Sequence, residues 1–383
     1  MIAACATIVI VNLDAARELL ARHPIIDGHN DLPWAMRQLN NYDIVGYPLD
    51  VRQSKTRTDL IRLAEGGVGG QFWSVFVPSK LAGDQAVTAT LEQIDFVLHM
   101  IAAHPDRLEL ALTVRDIERA HSRGRVASLM GAEGGHSIDG SLAVLRVLHS
   151  LGVRYLTLTH NDNVPWADSA TDVPVHGGLT EFGRDVVREM NTLGMLVDLS
   201  HVAPTTMRDA LAVSSAPAIF SHSSARALTD HVRNVPDDVL QLLAGNGGIC
   251  MVTFVPAFVS TVCFEWDSAI LAEMDARGDD RRDWTAHMAA VAEVERHRPA
   301  PIATISDVAD HVEHVRAVAG AHHVGLGGDF DGCDPMPTGL EDVTGYPGLI
   351  AELSDRGWSR TELAALTRGN ILRVLHDAET VAV

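Results

Sequence analysis

The stretch MLVDLSHVAPTTMRDALAVSSAPAIFSHS, residues 195–223, decides the fold because it contains a complete strand–helix–strand unit. Its two mainly apolar runs predict buried strands, and they end at His201 and His222. Between them, residues 203–214 predict a helix with a proline in its first turn. A helix that joins two buried strands indicates a parallel sheet, in which both strands end at the same edge.

The same pattern recurs along the chain. Metal-competent or acidic residues end six apolar runs: PIIDGHND with His29 and Asp31, VASLMGAE with Glu133, YLTLTH with His160, MLVDLSH with His201, AIFSHS with His222 and VGLGGDFD with Asp329. The predicted strands at 71–77 and 249–255 bring the total to eight, in alternation with helices. We therefore predict an α/β fold of the (β/α)8 TIM-barrel type, because a doubly wound sheet usually has fewer strands and a reversal point. Residues 1–383 are predicted to form this one domain.

The segment from residue 256 to residue 322 is too long for one crossover connection. Residues 266–299 predict charged helices, whereas SDVADHVEHVRAVAG at 306–320 predicts the ordinary crossover helix. We therefore expect a helical insertion between strands 7 and 8.

The charge and the termini narrow the class of protein. The formal net charge is −20 and the chain has no basic stripe, so a nucleic-acid partner is not expected. The four cysteines include no CxxC pair, and no disulfide framework is predicted. The N-terminal MIAACATIVIVN has no basic region and is too short to span a bilayer, and the C-terminal RVLHDAETVAV has no hydrophobic tail. We expect a cytoplasmic protein without a membrane anchor.

Five of the strand-end side chains form a candidate set of metal ligands: His29, Asp31, Glu133, His201 and His222. Each of them taken alone also fits a structural role. Together, imidazole and carboxylate ligands without thiolates suit zinc, with manganese or cobalt as substitutes. Five ligands shared by a pair of ions require one to bridge, and the small residues around Glu133 favour that position. We expect two Zn²⁺ per chain, bridged by Glu133.

Three further residues are candidates for catalysis and substrate binding. Either Asp329 or Asp331 could act as the general base, because a carboxylate beside the nucleophile can take its proton and pass it to a leaving amine. Asp329 is the expected one because it comes first off the strand, and Asp331 is expected to cap the next turn. His160 is expected to hydrogen-bond an oxyanion, with a structural histidine as the alternative. Arg233 can bind a carboxylate through two parallel hydrogen bonds, although its sequence context alone favours a surface arginine.

The chain resembles the membrane (renal) dipeptidases, metallopeptidases of the amidohydrolase superfamily. The resemblance covers nearly the whole chain in order, through IIDGHNDLPW, GGVGGQFWSVFVP, AEGGHSI, LGVRYLTLTHNDNVPWAD, VDLSHV, FSHSSARAL, HVRNVPDDVL, GGDFDG and GLEDVTGYPGLIAELSDRGWSRTELAALTRGNILRV. It differs from the mammalian pattern at Asp162, where those enzymes have a disulfide cysteine, and at Val255, where they have a tyrosine that lines the substrate site.

The resemblance implies a role for each candidate residue. One zinc would be held by His29 and Asp31 and the other by His201 and His222, with Glu133 bridging. Asp329 would be the proton shuttle, His160 would polarise the scissile carbonyl, and Arg233 would hold the C-terminal carboxylate. Some members of the family accept a D-residue at the C-terminal position or open β-lactam rings, and relatives suggest a homodimer.

We therefore expect a binuclear zinc dipeptidase in which a hydroxide between the ions attacks the peptide carbonyl of L-Xaa-L-Xaa or L-Xaa-D-Xaa substrates. The main alternative is another two-metal hydrolase of the superfamily, acting on a lactone, a β-lactam or a phosphoester. A metal-binding scaffold without activity is a second alternative, against which the complete set of convergent polar residues argues.

Overall fold

Nine parallel strands form one sheet in the computed structural model, which describes residues 13–281 and 283–382. In chain order the strands are β1 (Ile25–Asn30), β2 (Val68–Phe76), β3 (Leu108–Leu110), β4 (Val126–Glu133), β5 (Val153–Thr157), β6 (Leu196–Asp198), β7 (Ile219–Phe220), β8 (Ile249–Val252) and β9 (Val324–Leu326). The apolar N-terminal segment 1–12, for which no membrane span is expected, lies outside the described residues.

Eight of the strands follow one another around a barrel, in the order β1-β2-β4-β5-β6-β7-β8-β9. The seam between the first and the last is closed just beyond β9, where Asp31 N donates to Phe330 O (2.9 Å) and Asp329 N donates to His29 O (3.2 Å). The predicted α/β fold of the TIM-barrel type is confirmed. This closure also brings the ends of β1 and β9 together, so that His29, Asp31 and Asp329 become neighbours.

Strand β3 is an addition to the predicted set of eight. It pairs with the first half of β4, from Leu108↔Val126 to Leu110↔Ser128, whereas β5 pairs with the second half, from Met130 onward. Such a three-residue strand carries too short a pattern to be recognised in the sequence. Strand β3 therefore lies at the N-terminal end of the barrel strands, away from the strand ends that bear the candidate residues.

Helices surround the barrel. They are α1 (13–22), α2 (Leu32–Asn40), α3 (Leu60–Glu65), α4 (Asp84–Ala103), α5 (Val114–Ser122), α6 (Leu142–Ser150), α7 (Glu181–Leu193), α8 (Pro204–Val213), α9 (Asp237–Asn246), α10 (Pro256–Val259), α11 (Thr261–Arg277), α12 (Trp284–Glu295), α13 (Ile305–Ala319), α14 (Tyr346–Asp355), α15 (Arg360–Ala364) and α16 (Asn370–Val381). A π-helical turn, Ala365–Gly369, joins α15 to α16. Within the described ranges, α4 alone has the length and apolar composition to cross a membrane, and its buried residues Ile94, Phe96, Val97, Met100 and Ile101 belong to the main core.

The helix ends follow from local sequence signals. Pro204 opens α8, where its fixed φ suits the first turn and its missing N–H is not needed. Thr304 and Asp307 form a reciprocal capping box at the start of α13. Gly194 ends α7 with a φ of 71°, which glycine adopts without steric cost.

Three helices, α10 to α12, lie between β8 and β9, in the segment where an insertion is expected. A small apolar cluster joins α11 to α12 through Ile270, Met274, Ala290 and Val294. Helix α13 then leads back to β9 as the crossover helix.

The inside of the barrel has an apolar lower layer and a polar upper layer. Residues two apart in a strand share a face, so Leu129, Gly131 and Glu133 of β4 follow one another up the interior. The apolar layer contains Ile26, Phe72, Leu129, Tyr155, Leu196, Ile219 and Met251. The polar layer above it contains Ser74, Glu133, Thr157, Asp198 and Ser221, all buried. Buried polar groups need hydrogen-bond or ligand partners, so a candidate site is expected in this upper layer.

Candidate active site

The carboxylate of Glu133 lies at the centre of the predicted ligand set. His201 Nε2 is 3.0 Å from Glu133 Oε1, and His222 Nε2 is 3.4 Å from the same oxygen. The other oxygen, Oε2, lies 3.4 Å from His29 Nε2, which in turn is 3.3 Å from Asp31 Oδ2. The structure therefore brings all five residues together, with one carboxylate oxygen facing each pair.

Several of these atoms are buried without a hydrogen-bond partner. His29 Nε2 and Asp31 Oδ1 have none, and the Nε2 atoms of His201 and His222 face one another at 3.0 Å. Unsatisfied buried polar atoms are rare because each costs free energy, unless a ligand completes them. Imidazole nitrogens and carboxylate oxygens at these separations fit zinc or a similar cation.

Burial and neighbouring charges shift the pKa values of the predicted ligands. Burial lowers the pKa of His201 and of His222 well below the usual range, which leaves both rings neutral with a lone pair to offer. Burial would raise the pKa of Glu133, but the facing imidazoles, His29 first, hold that pKa well below its usual value. His29 differs from the other two, because Tyr155, Glu133 and Asp31 outweigh the effect of burial and raise its pKa well above the usual value. Cation binding requires an ionised carboxylate and unprotonated imidazole nitrogens, so Glu133, His201 and His222 are already in the required state and His29 would give up a proton to a bound cation.

Hydrogen bonds behind the ligands fix two of the imidazole rings. His29 Nδ1 lies 2.8 Å from the Tyr155 hydroxyl, which itself donates to Gly28 O at 3.3 Å. The tyrosine ring has room because a Cβ at Gly131 would lie 1.9 Å from it. The Tyr155 contact directs Nδ1–H away from the site and makes Nε2 the ring atom that would bind a cation.

A second chain of hydrogen bonds fixes His222. Its Nδ1 atom lies 2.7 Å from Ser221 Oγ, and this hydroxyl donates to Asp198 Oδ2 at 2.7 Å. Thr157 Oγ1 donates to the same carboxylate oxygen at 2.6 Å. Because a carboxylate only accepts, the chain runs from imidazole to serine to aspartate and leaves His222 Nε2 unprotonated.

Asp329 stands beside the first ligand pair, in a group with His29 and Asp31 whose candidate ligand atoms all lie within 4.8 Å of one another. Burial, together with the carboxylates of Asp31 and Glu133, raises its pKa well above the usual value. Its φ of 61° and that of His201, 68°, are left-handed, a conformation that non-glycine residues keep chiefly where the surroundings enforce it. Asp331 does not cap the next turn as expected, because it accepts from Arg57 N, far away in the sequence, at 2.5 Å.

His160 and Arg233 flank the ligand set. His160 Nε2 is 3.8 Å from Glu133 Oε1, and burial lowers its pKa to about 4, so the ring is neutral. Arg233 is only 3% exposed, and no carboxylate in the described part of the chain pairs with it within 4.0 Å. A buried, unpaired guanidinium is costly unless a ligand supplies the missing anion, which argues against the surface role that its sequence context favours.

Sequence reasoning missed the partners that orient the ligands, namely Ser74, Tyr155, Asp198 and Ser221. Ser74 donates to Glu133 Oε2 at 3.1 Å, from the neighbouring strand β2. For Asp198 and Ser221 a signal existed, because both lie within three residues of a predicted ligand in MLVDLSH and AIFSHS. For Ser74 and Tyr155 the sequence has no comparable signal, since Ser74 lies within the apolar run QFWSVFV and Tyr155 begins the run YLTLTH, five residues before His160.

Comparisons with known proteins show the family of the chain. The family model described as membrane dipeptidase (peptidase family M19) matches residues 13–383. Dipeptidase 3 of Mus musculus is 42% identical over 374 residues, which are 96% of this chain and 67% of that protein. An uncharacterized dipeptidase of Schizosaccharomyces pombe is 43% identical over 379 residues, covering 95% and 83% of the two chains.

Solved structures give the same picture. A metallopeptidase of Rhodobacter sphaeroides, bound to a phosphinate mimic of the dipeptide L-Ala-D-Ala, superposes with a TM-score of 0.76 at 25% identity, over 93% of this chain and 99% of that one. A probable dipeptidase of Pseudomonas aeruginosa, PvdM, has a TM-score of 0.84 at 24% identity over 97% and 99%, and shares the fold. The chain therefore belongs to the membrane dipeptidase family, peptidase family M19.

Proposed function

We propose that this metal-dependent dipeptidase cleaves dipeptides with a free C-terminal carboxylate at a pair of zinc ions, which Glu133 bridges. The observation that supports the pair is the division of the Glu133 carboxylate, with one oxygen facing His201 and His222 and the other facing His29. Asp31 completes the second set. Bound there, the ions would lower the pKa of a shared water to roughly 7 and polarise the scissile carbonyl.

The protein's own residues then hold the substrate and move the proton. In this proposal Asp329 accepts the proton of the attacking water at its carboxylate and returns it to the leaving amine. His160, a neutral ring beside Glu133, donates an N–H to the carbonyl oxygen as negative charge develops there.

Arg233 supplies the specificity for a dipeptide. Its buried guanidinium has no carboxylate partner among the described residues, and the C-terminal carboxylate of a substrate would provide one. A fixed anion site next to the ligand set limits how many residues fit between the scissile bond and the C-terminus. Acceptance of a D-residue at that position is proposed as well, with support from the L-Ala-D-Ala mimic bound by the Rhodobacter sphaeroides relative.

The test is metal analysis combined with a substrate panel. We expect elemental mass spectrometry to find two zinc ions per chain. We expect the protein to hydrolyse L-Ala-L-Ala and L-Ala-D-Ala but not the C-terminal amides of these dipeptides, with the products measured by chromatography. Glu133→Gln should lower the zinc content, whereas Glu109→Gln, which alters a carboxylate that pairs with arginines at the other end of β4, should not. Turnover of a lactone or phosphodiester without turnover of dipeptides would contradict the proposal.

A further inference from the structure

The Arg233 guanidinium has few polar groups to hold it in place. Among the described residues, its hydrogen-bond partners are Ser223 Oγ, 3.4 Å from Nη1, and the carbonyl oxygen of His222, 3.5 Å from Nη2, both at the limit of hydrogen bonding. A two-pronged hydrogen bond to a carboxylate, however, requires the planar guanidinium to lie in one orientation. Something other than these weak contacts must fix it.

Aromatic rings provide a platform for the guanidinium. Arg233 Cζ lies 5.4 Å from the ring centroid of Phe258, within the range of a cation–π interaction. The Phe258 ring also stacks on the His231 imidazole, with centroids 4.2 Å apart and an angle of 29° between the planes. Phe264 packs edge-on against His231 at 5.4 Å. The guanidinium therefore rests on rings that are themselves packed.

Hydrogen bonds between side chains and the backbone connect these rings to the loop that carries Arg233. Arg233 N donates to His231 Nδ1 at 3.1 Å, and Asn234 Nδ2 donates to Phe258 O at 2.8 Å. Burial and the nearby arginines lower the pKa of His231 to about 3, so its ring stays neutral and keeps the lone pair that accepts this bond. The loop and helix α10 therefore hold a fixed relation to each other.

A second pair of contacts ties α10 to the strand end that carries His222. His311 in α13 accepts from Ala225 N at 3.0 Å through Nδ1, and its Nε2–H donates to Val259 O at 3.2 Å. Val259 is the last residue of α10 and follows Phe258 directly. The position of the Phe258 ring is thus set relative to the ligand set itself.

We propose that Phe258 and His231 are positioning residues, which orient Arg233 for the C-terminal carboxylate of the substrate. The inference rests on the proposed function and deepens it, because it assigns the recognition of the carboxylate to α10 and the 231–234 loop as a unit. A cation–π contact holds the guanidinium over the face of the Phe258 ring without competing for its N–H groups, which remain available to the substrate.

The test compares a dipeptide with the same dipeptide carrying a C-terminal amide, as the ratio of the two kcat/KM values. Arg233→Met should lower this ratio roughly 10- to 100-fold, since it removes charge-assisted hydrogen bonds. Phe258→Leu should lower it roughly three- to tenfold, mainly through KM, since the cation–π contact is lost. Phe258→Tyr retains a ring and should keep the ratio within about twofold of wild type.

Two further variants complete the design. His231→Asn keeps a local acceptor for Arg233 N but removes the stacked ring, and it should lower the ratio as Phe258→Leu does. Phe96→Leu is the matched control, because Phe96 stacks on Tyr42 at 4.8 Å in another part of the barrel and should not alter the ratio. Circular dichroism and zinc content establish that each variant is folded and loaded.

The outcomes separate the two proposals. A wild-type ratio in Arg233→Met would show that Arg233 does not bind the carboxylate, which overturns the proposed substrate contact. A lowered ratio in Arg233→Met with wild-type ratios in both Phe258→Leu and His231→Asn would overturn the positioning role alone. If Phe258→Leu does not fold, the ratio measured for His231→Asn tests the positioning role in its place. A loss in Phe258→Tyr as large as the loss in Phe258→Leu would also contradict a role for the ring.

Discussion

Replacing Asp198 by asparagine should weaken metal binding although Asp198 is not itself a predicted ligand. Its Oδ1 accepts backbone N–H groups from Ser221 at 2.8 Å and Ser200 at 3.1 Å, and its Oδ2 accepts the hydroxyls of Ser221 and Thr157. Backbone donors cannot reverse, so the amide oxygen of the introduced asparagine must face them. The NH₂ group of that side chain must then face the two hydroxyls.

This reversal propagates to the metal site. If the amide donates to Ser221 Oγ, the serine hydroxyl donates in turn to His222 Nδ1, and the imidazole takes the tautomer with its proton on Nε2. That proton occupies the lone pair predicted to bind zinc. Changes to such supporting groups typically weaken metal binding 10- to 100-fold, or about 1.4 to 2.7 kcal/mol. The metal-free protein should lose only about 1–2 kcal/mol, as charge-assisted hydrogen bonds become neutral ones.

The assay is a titration of the chelator-treated protein with Co²⁺ or Zn²⁺ against a competing indicator, alongside urea unfolding of the metal-free form. Asp59→Asn is the matched control, because Asp59 is a fully buried aspartate that caps α3 and pairs with Arg62 without touching a histidine. It should lower stability and leave metal affinity unchanged. A folded Asp198→Asn protein that binds zinc as tightly as wild type would refute the tautomer argument.

Three other outcomes follow from the geometry. Asp329→Asn should lower kcat at least roughly 100-fold with the metal content retained, measured by steady-state kinetics and elemental analysis, because the general base is removed; an active variant would reject the assignment. Burial lowers the pKa of His311 to about 4, so this side chain binds a proton more readily in the unfolded chain than in the folded one. The folded state should therefore lose up to about 3 kcal/mol of stability as the pH falls from 6.5 to 4. Urea unfolding at both pH values should show a smaller loss in His311→Gln. Gly131→Ala should lower stability by about 1–3 kcal/mol in thermal melts, since its Cβ would collide with Tyr155, whereas Gly245→Ala, with open space around it, should not.

The barrel was predictable because its evidence is local and repeated. Six apolar runs end in a polar residue, and QFWSVFV and ICMVTFV bring the number of predicted strands to eight. Helices separate these strands, and the parallel order of the strands follows from the helical crossovers. The extra strand β3 was missed because three residues carry no recognisable periodicity. Asp331 was misjudged because its partner, Arg57 N, is in a loop that no pattern links to it.

The candidate site was predictable to the extent that it depends on the barrel topology. The five predicted ligands and Asp329 come together because the strand ends of a parallel barrel share one face, which is a property of the fold rather than of any single motif. The identity of these residues was therefore open to sequence reasoning, and their convergence followed from the predicted topology. Their roles as ligands and proton shuttle remain proposals that the metal and kinetic experiments test.

The amino-acid sequence by itself determined which side chains stand at the strand ends, because strand periodicity and helix punctuation are short-range properties of the chain. Tertiary structure alone decided which hydrogen bonds orient those side chains: Tyr155 behind His29, the Asp198–Ser221 chain behind His222, and the Phe258 ring beneath Arg233. These contacts join distant segments, and their distances depend on how the barrel closes and where its glycines leave room. No local pattern encodes such distances, since they result from the packing of all the strands at once.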